Sequence, residues 1–254
     1  MSRGAKHVLY GLLFLLILGL MAAAVYLLFF RALPNCEDNI LNQNEEDVDC
    51  GGVCVISCEE KNFRLIKSDV GVVSAGEAKL TLAATITNNS PNYGARGVEY
   101  SLDIRDLVGG RLDLVEGETI VPPETTRYIV ESGFPINPLD IGSIEFDLES
   151  DFMIVPKGSF TEHSFTIKQA KPTLSENAMR IDGIMTNNTE HSVEDLKLGA
   201  LIRNKEGGQL IGAATTILDQ LAAFKSRGFT IFVSVPSNVV LDDLKTEIFW
   251  ETAS

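Results

Sequence analysis

Residues 98–105 read Val98-Glu-Tyr-Ser-Leu-Asp-Ile-Arg105, and this alternation of apolar and polar side chains decides the fold class. Successive side chains of a strand point to opposite faces, so the pattern predicts a β-strand with one buried and one solvent-facing side. The same alternation recurs in other segments after Phe63, at residues 80–86, 144–148, 196–202 and 229–235. Most of the chain is therefore predicted to be β-structure.

Turn-forming pairs separate these segments: Gly109-Gly110, Pro122-Pro123, Asn187-Asn188 and Gly207-Gly208. Glycine and proline favour turns because of their backbone preferences, and asparagine tolerates left-handed backbone. Short strands separated by such turns are typical of antiparallel β-sandwiches. We therefore predict a mainly β fold built from antiparallel Ig-like sandwiches.

The β region contains a repeat of about 100 residues. Thr87-Asn88-Asn89-Ser90 is matched by Thr186-Asn187-Asn188-Thr189, 99 residues later. Val108-Gly109-Gly110-x-Leu112 is matched by Glu206-Gly207-Gly208-x-Leu210, 98 residues later. A repeat of this length predicts two copies of one small domain, placed at residues 62–158 and 159–254. The short junction near residues 157–162 suggests that the copies stack end to end from the membrane.

A motif in each copy resembles the FxLYD-type β-sandwich, which is related to late-embryogenesis-abundant type-2 and fibronectin-like folds. In the first copy the motif is Leu102-x-Ile104-Arg105-Asp106-x-x-Gly109. The second copy has the same spacing in Ala200-x-Ile202-Arg203-Asn204-x-x-Gly207. The resemblance implies a sandwich fold for both copies and implies no catalytic residue in either.

The N-terminal region contains an uncharged apolar run from Val8 to Phe30. As a helix its 23 residues would extend roughly 35 Å, enough to cross a hydrocarbon core of about 30 Å. Arg3 and Lys6 precede the run and acidic residues follow it, so the positive-inside rule places residues 1–7 in the cytoplasm and the later residues outside. A cleaved signal peptide is the alternative, since residues 22–24 are alanines, but the run is longer than most secretory apolar cores.

All the cysteines lie within an acidic segment predicted to follow the membrane, residues 31–61: Cys36, Cys50, Cys54 and Cys58. An even number of cysteines on the exterior side predicts two disulfides, with three pairings open. Zinc is the alternative, because Cys50 and Cys54 could share a helical face. Structural zinc sites favour closer spacing and a reducing compartment, so disulfides are the preferred prediction.

The same segment contains many oxygen-bearing side chains: Asp38, Asn42, Asn44, Glu46, Asp47 and Asp49. Because Ca²⁺ prefers six to eight oxygen ligands, these residues are candidate calcium ligands. The alternative is a solvated acidic face next to the membrane. No other cofactor is predicted. The string around Val48-Asp49-Cys50-Gly51-Gly52 resembles a short acidic cysteine repeat of secreted and surface proteins, which implies an extracellular location.

Three further features have a structural interpretation. Trp250 alternates with Phe249 and Glu251 in the last predicted strand, so we expect it to be a buried anchor rather than a binding platform. His163 and His191 are predicted to be exposed loop residues. Asn88 and Asn187 begin Asn-x-Ser/Thr sequons at equivalent places in the two copies, and a shared turn is their simpler interpretation.

The net charge of −14 argues against a nucleic-acid partner, whose phosphates require clustered Lys and Arg. The sequence contains no Gly-x-Ser-x-Gly motif, phosphate-binding loop or His-Glu-x-x-His motif, so we expect no enzymatic activity and no small-molecule substrate. The predicted function is that of an envelope spacer or protein-binding module. Its partners would be the membrane and another envelope or surface protein, and the overall layout resembles membrane-anchored surface proteins.

An alternative function is that of an accessory subunit of a membrane enzyme or translocation complex. Such a subunit would dock through its transmembrane helix. The helix contains small residues that permit close helix–helix contact, at positions 11, 19 and 22–24.

Overall fold

The computed structural model describes residues 3–29, 35–42, 44–74, 80–175, 178–236 and 239–252. The chain divides into two compact units, Met1–Asn62 and Phe63–Ser254. The first contains both α-helices and the cysteine segment, and the second contains the β-strands and three short 3-10 helices, Pro138–Asp140, Lys157–Ser159 and Leu241–Asp243. The predicted mainly β fold with antiparallel sheets is confirmed.

The first unit begins with helix α1 (Arg3–Phe29), whose described side chains are exposed along its length. Its stretch Lys6–Tyr26 has a mean hydropathy of 2.6 and is long and apolar enough to cross a membrane. Phe30, the last residue of the predicted span, lies outside the described residues, as do residues 1–2 and 31–34 of the flanking segments. The unit ends with the short helix α2 (Cys58–Lys61), capped by the Ser57 side chain, which accepts the Glu60 N–H.

The first half of the second unit contains β1 (Leu65–Lys67), β2 (Gly71–Ser74), β3 (Leu80–Asn88), β4 (Tyr93–Asp106), β5 (Arg111–Val121), β6 (Thr125–Phe134), β7 (Ile141–Leu148) and β8 (Met153–Pro156). Strand β3 pairs with β1, β2 and β6 in one antiparallel sheet. Strand β4 pairs with β5, β7 and β8 in the other.

The second half contains β9 (Phe165–Ser175), β10 (Ala178–Asn187), β11 (Val193–Asn204), β12 (Leu210–Leu221), β13 (Ser226–Ser234) and β14 (Leu244–Glu251). Its sheets have the orders β13-β10-β9 and β12-β11-β14. These orders correspond to β6-β3-β1 and β5-β4-β7 of the first half. The two halves therefore share this strand order, with β1 and β2 in the place of the single strand β9 and with β8 as an additional strand of the first half.

Each half encloses its own apolar core. Leu82, Leu102 and Ile104 are almost completely buried in the first core, and Ile181 and Leu198 are completely buried in the second. These residues occupy the apolar positions of the alternating segments. Burial of such side chains is the main source of stability in each half, at about 25 cal/mol per Å² of apolar surface.

The two halves pack against each other through sheet faces. Ala83 and Val130 on β3 and β6 share an apolar cluster with Leu201, Leu210 and Phe249 on β11, β12 and β14. The expectation of end-to-end stacking was therefore wrong. The reason is that the supposedly solvent-facing positions of these strands also carry apolar side chains, which are stabilised by burial between the sheets.

Candidate functional site

The cysteine segment forms two disulfides, Cys36–Cys54 and Cys50–Cys58, which leave none of the four cysteines free. The predicted disulfides are thus confirmed, and one of the three open pairings is selected. Cys50 and Cys54, which the zinc alternative would place in one site, belong to different disulfides. The zinc alternative is therefore not compatible with this structure.

The Asp49 carboxylate organises the backbone of this segment. It is 8% exposed and accepts the backbone N–H groups of Asp38 and Asn39 at 3.0 and 3.1 Å. The Lys61 Nζ lies 3.6 Å from its Oδ2. Asp38 in turn accepts the side-chain amide of Asn42 at 3.0 Å. These carboxylates therefore satisfy backbone and amide donors within the disulfide-tied loop.

The calcium candidates separate into two groups. Asp38, Asn42 and Asp49 are joined through the hydrogen bonds just described, whereas the remaining candidates are exposed, namely Asn44, Glu46 and Asp47. Among the described residues, one trio of His, Cys, Asp or Glu ligand atoms lies within 4.8 Å of one another, and it consists of Cys36, Glu45 and Cys54. Both of its cysteines are in a disulfide. Calcium binding stays a prediction.

The sequon asparagines are buried and hold equivalent turns. Asn88 is 1% exposed, and its amide donates to the carbonyl oxygens of Tyr93 and Pro122 at 2.8 and 3.0 Å. Asn187 is fully buried and donates to His191 and Leu221 at 2.7 and 3.3 Å. In each half the second acceptor lies 34 residues further along the chain. Both side chains therefore have a structural role, as the shared-turn interpretation predicts.

A pocket of about 490 Å³ lies between the two halves of the second unit. It is lined by Arg127 and Tyr128 from β6, by Trp250 from β14, and by Phe160 and His163 from the segment between β8 and β9. The alternating patterns did not predict this pocket, because its residues come from distant parts of the chain.

His163 is not the exposed loop residue that the sequence suggested. Its ring stacks on Phe165 with centroids 5.9 Å apart, and both ring nitrogens are buried without a hydrogen-bond partner among the described residues. Burial, and to a smaller extent the nearby His191, lowers the pKa of His163. The neutral imidazole therefore presents one unused donor and one unused acceptor.

Trp250 packs as an anchor but also borders the pocket. Its ring meets the ring of Phe165 edge-on, with centroids 4.7 Å apart, and it belongs to the rim of the second core. The predicted buried anchor is half-buried in the structure, and its side chain also forms part of the pocket wall.

Arg127 is the buried cation of the pocket, at 6% exposure. Its Nε donates to the Ile120 carbonyl at 2.5 Å and its Nη2 to the Thr252 carbonyl at 3.4 Å. Burial lowers the pKa of the guanidinium, and the Glu251 carboxylate opposes this effect. Arginine remains charged in proteins, so the pocket contains a desolvated positive charge.

Glu251 is committed to contacts at the interface between the halves. It accepts the backbone N–H of Tyr128 at 2.7 Å and lies 3.6 Å from the Lys197 Nζ. On the same side, the Tyr100 hydroxyl donates to Glu131 at 3.1 Å. Burial and the Glu131 carboxylate raise the pKa of Tyr100 above its ordinary range. Of these contacts, the hydrogen bond from the Tyr128 N–H to Glu251 joins the two halves, whereas the other two lie within one half each.

No protein-family model matches the chain, and no curated protein sequence matches it. Among solved structures, the chain is similar to DesR, a β-glucosidase from Streptomyces venezuelae whose structure was determined in complex with D-glucose. The identity is 9% and the TM-score is 0.24, with 74% of this chain and 46% of that chain covered. The likeness is too weak to support any statement about activity.

Proposed function

We propose that this is a non-enzymatic, single-pass membrane protein that displays two tandem Ig-like β-sandwiches outside the cytoplasm. The sandwiches serve as a protein-binding module or spacer of the cell envelope. The observation that carries the proposal is the pair of disulfides in the unit that begins with the apolar helix. Disulfides persist in oxidising compartments, so a chain with this arrangement has its cysteine segment outside the cytoplasm.

Charge supports the same orientation. Arg3 and Lys6 lie at the N-terminal end of the apolar helix, and the stretch 32–60 contains acidic residues without Lys or Arg. The positive-inside rule then places the N-terminus in the cytoplasm, and the helix is retained as a signal-anchor. The disulfides and the charge distribution around the helix are independent observations, and both favour a cytoplasmic N-terminus with the later residues outside.

Two observations favour tandem Ig-like copies. The halves share the three-stranded order of both sheets, to which the first half adds β2 and β8. In addition, Asn88 and Asn187 each donate to a carbonyl 34 residues further along the chain. A shared buried polar contact at the same offset is expected of two copies of one domain. A binding or spacer function suits such copies, because sandwiches present loops and sheet edges on a rigid scaffold.

Protease accessibility in intact spheroplasts tests the proposed topology. The full chain with a C-terminal tag is expressed in cells, and intact spheroplasts are treated with protease. We expect the protease to remove the tag. In a separate measurement, the untreated, non-reduced chain should have an intact mass about four hydrogens lower than that of the reduced chain. The double variant Arg3→Glu, Lys6→Glu should lower the externally accessible fraction. A protected tag or free thiols in the wild-type chain would contradict the proposal.

The alternative function is docking to a membrane complex through the helix. The described side chains of α1 are exposed, and a Cβ at Gly11 or Gly19 would meet nothing within 4 Å, so these positions are open to a neighbouring helix. Replacing residues 8–30 with an unrelated apolar span tests this alternative after crosslinking in native membranes. A partner lost on replacement identifies an accessory subunit, whereas partners that are retained bind outside the membrane.

A further inference from the structure

The pocket between the halves contains Arg127, and its counterpart in the second half, Arg227, has a different ion-pair environment. Arg127 on β6 lies opposite Ile86 on β3, and Arg227 on β13 lies opposite Met185 on β10. Each guanidinium donates to the carbonyl of the residue seven positions earlier, Ile120 for Arg127 and Gln220 for Arg227. The two arginines are therefore structural equivalents.

Their electrostatic surroundings differ. Arg227 has 44% of its side chain exposed and lies 3.7 Å from the Asp219 carboxylate. Asp219 directly precedes Gln220, whose carbonyl accepts from Arg227. The equivalent position in the first half, before Ile120, is occupied by Thr119. The ion pairs formed by the described residues do not include Arg127, although this residue is 6% exposed. The first half thus retains the arginine, buries it, and lacks the carboxylate that accompanies its equivalent.

A buried cation without an ion-pair partner is unfavourable unless other groups compensate for its lost hydration. The carboxylate that acts on Arg127, Glu251, already accepts the Tyr128 N–H and lies within ion-pair distance of Lys197. An anion from outside the chain would supply the negative charge that Asp219 provides for Arg227. Arg127 donates one N–H from Nε and one from Nη2 to carbonyl oxygens, so the remaining guanidinium N–H groups would bind that anion.

The rest of the wall supplies an apolar surface, His163 and two exposed charged residues of opposite sign, Lys157 and Glu162. Trp250 and Phe160 line the pocket, and the Phe160 ring is held under the Arg96 guanidinium at 5.1 Å. His163 contributes buried ring nitrogens that no described residue engages. The volume of about 490 Å³ lies within the range of about 300–1,000 Å³ that is usual for small-molecule sites.

We propose that this pocket binds an organic carboxylate with an apolar body. The carboxylate would lie at Arg127 and His163, and the apolar body against Trp250 and Phe160. The ligand is either a free organic acid or the carboxy-terminal end of a peptide, since both present the same chemistry. The inference deepens the proposed binding function and rests on it, and it adds a bound ligand where the sequence predicted no small-molecule substrate.

Trp250 is the single tryptophan of the chain, so its fluorescence reports on the pocket wall. The full chain in detergent is titrated with 3-phenylpropionate and with the uncharged 3-phenylpropanol. The peptide Gly-Gly-Phe and its C-terminal amide form a second matched pair. We expect a saturable change with the carboxylates and at least tenfold weaker binding of the uncharged partners. The pair that binds more tightly distinguishes a free acid from a peptide end.

Variants connect the change to the named residues. Arg127→Gln should abolish the preference for the carboxylate, whereas the equivalent Arg227→Gln should leave it unchanged. Because Arg127→Gln could impair folding, His163→Ala provides a second test and should weaken carboxylate binding several-fold. Equal binding of charged and uncharged probes, or no saturable change at millimolar concentration, would overturn the inference. The protease-accessibility result is unaffected by either outcome, so the two proposals fail separately.

Discussion

The Tyr128 ring on β6 stacks on the Phe249 ring on β14, with centroids 4.2 Å apart and planes inclined by 17°. This contact joins the two halves of the β unit. Phe249 also covers Gly199 on the neighbouring strand, where a Cβ would lie 2.0 Å from the ring. The Phe249 ring therefore packs on the Tyr128 ring of the first half and occupies the space that a side chain at Gly199 would fill.

A side chain at position 199 should displace this ring. We expect Gly199→Ala to lower the free energy of unfolding by about 1–3 kcal/mol, the usual effect of overpacking a close contact. Gly207→Ala is the matched control, since a Cβ there meets nothing within 4 Å. Urea denaturation of both variants checks the expectation. Equal stability of the two variants would show that the ring moves without penalty.

The face-to-face interface should make the two halves unfold together. Leu210 is 8% exposed and packs in the cluster between the halves, whereas its counterpart in the repeat, Leu112, is 39% exposed. We expect Leu210→Asp to destabilise the protein by about 2–5 kcal/mol and Leu112→Asp to have little effect. Calorimetry should show one transition for the wild type and two for Leu210→Asp. A single unshifted transition in Leu210→Asp would contradict the interface.

The buried asparagines should contribute to stability independently of any glycan. Asn88→Ala leaves the carbonyls of Tyr93 and Pro122 without their donor, and we expect a loss of about 1–3 kcal/mol. Asn89→Ala removes an exposed neighbour and should be neutral within about 0.5 kcal/mol. Denaturant midpoints compare the variants. A neutral Asn88→Ala would remove the structural role assigned to this sequon.

Disulfide mapping checks the pairing in the cysteine segment. Non-reducing peptide maps should contain Cys36 linked to Cys54 and Cys50 linked to Cys58. The double variant Cys50→Ser, Cys58→Ser should lose about 2–5 kcal/mol of local stability, the usual effect of removing a disulfide from a small unit. Faster proteolysis within residues 36–62 measures this loss. A map with Cys36 linked to Cys58 would contradict the described loop.

His163 should make the protein less stable in mild acid. Its pKa is lowered in the folded state by burial and by His191, so the unfolded chain binds the proton more readily. Stability should fall as the pH drops below about 6.5, the ordinary histidine value, until the folded pKa is passed. His163→Gln should reduce this loss, as measured by melting temperature between pH 7.5 and 5. An identical pH dependence in the variant would assign the effect to other groups.

The sequence was most informative where one face of a strand is exposed to solvent and the other is buried. Leu102 and Ile104 alternate with polar residues, and both are buried as predicted. The sequence was least informative where both faces of a strand are buried. Ala83 and Leu201 are apolar at positions where the alternation calls for polar residues, but the sequence does not show that they pack against the other half. The His163 environment likewise depends on tertiary packing, because spacing along the chain does not indicate which strands enclose a loop. The cysteine spacing predicted disulfides but left their pairing open, because loop geometry selects it.

The sheet-to-sheet contact between the halves has a mechanical consequence. Two sandwiches joined only by a short linker can swing about that linker when the chain is pulled. The two halves of the β unit, which share the apolar cluster of Leu201, Leu210 and Phe249, must slide along or separate this packed surface before they can move apart. Tension on the β unit would therefore be opposed by shear of this surface, and the unit would transmit force as a stiff element until the surface gives way.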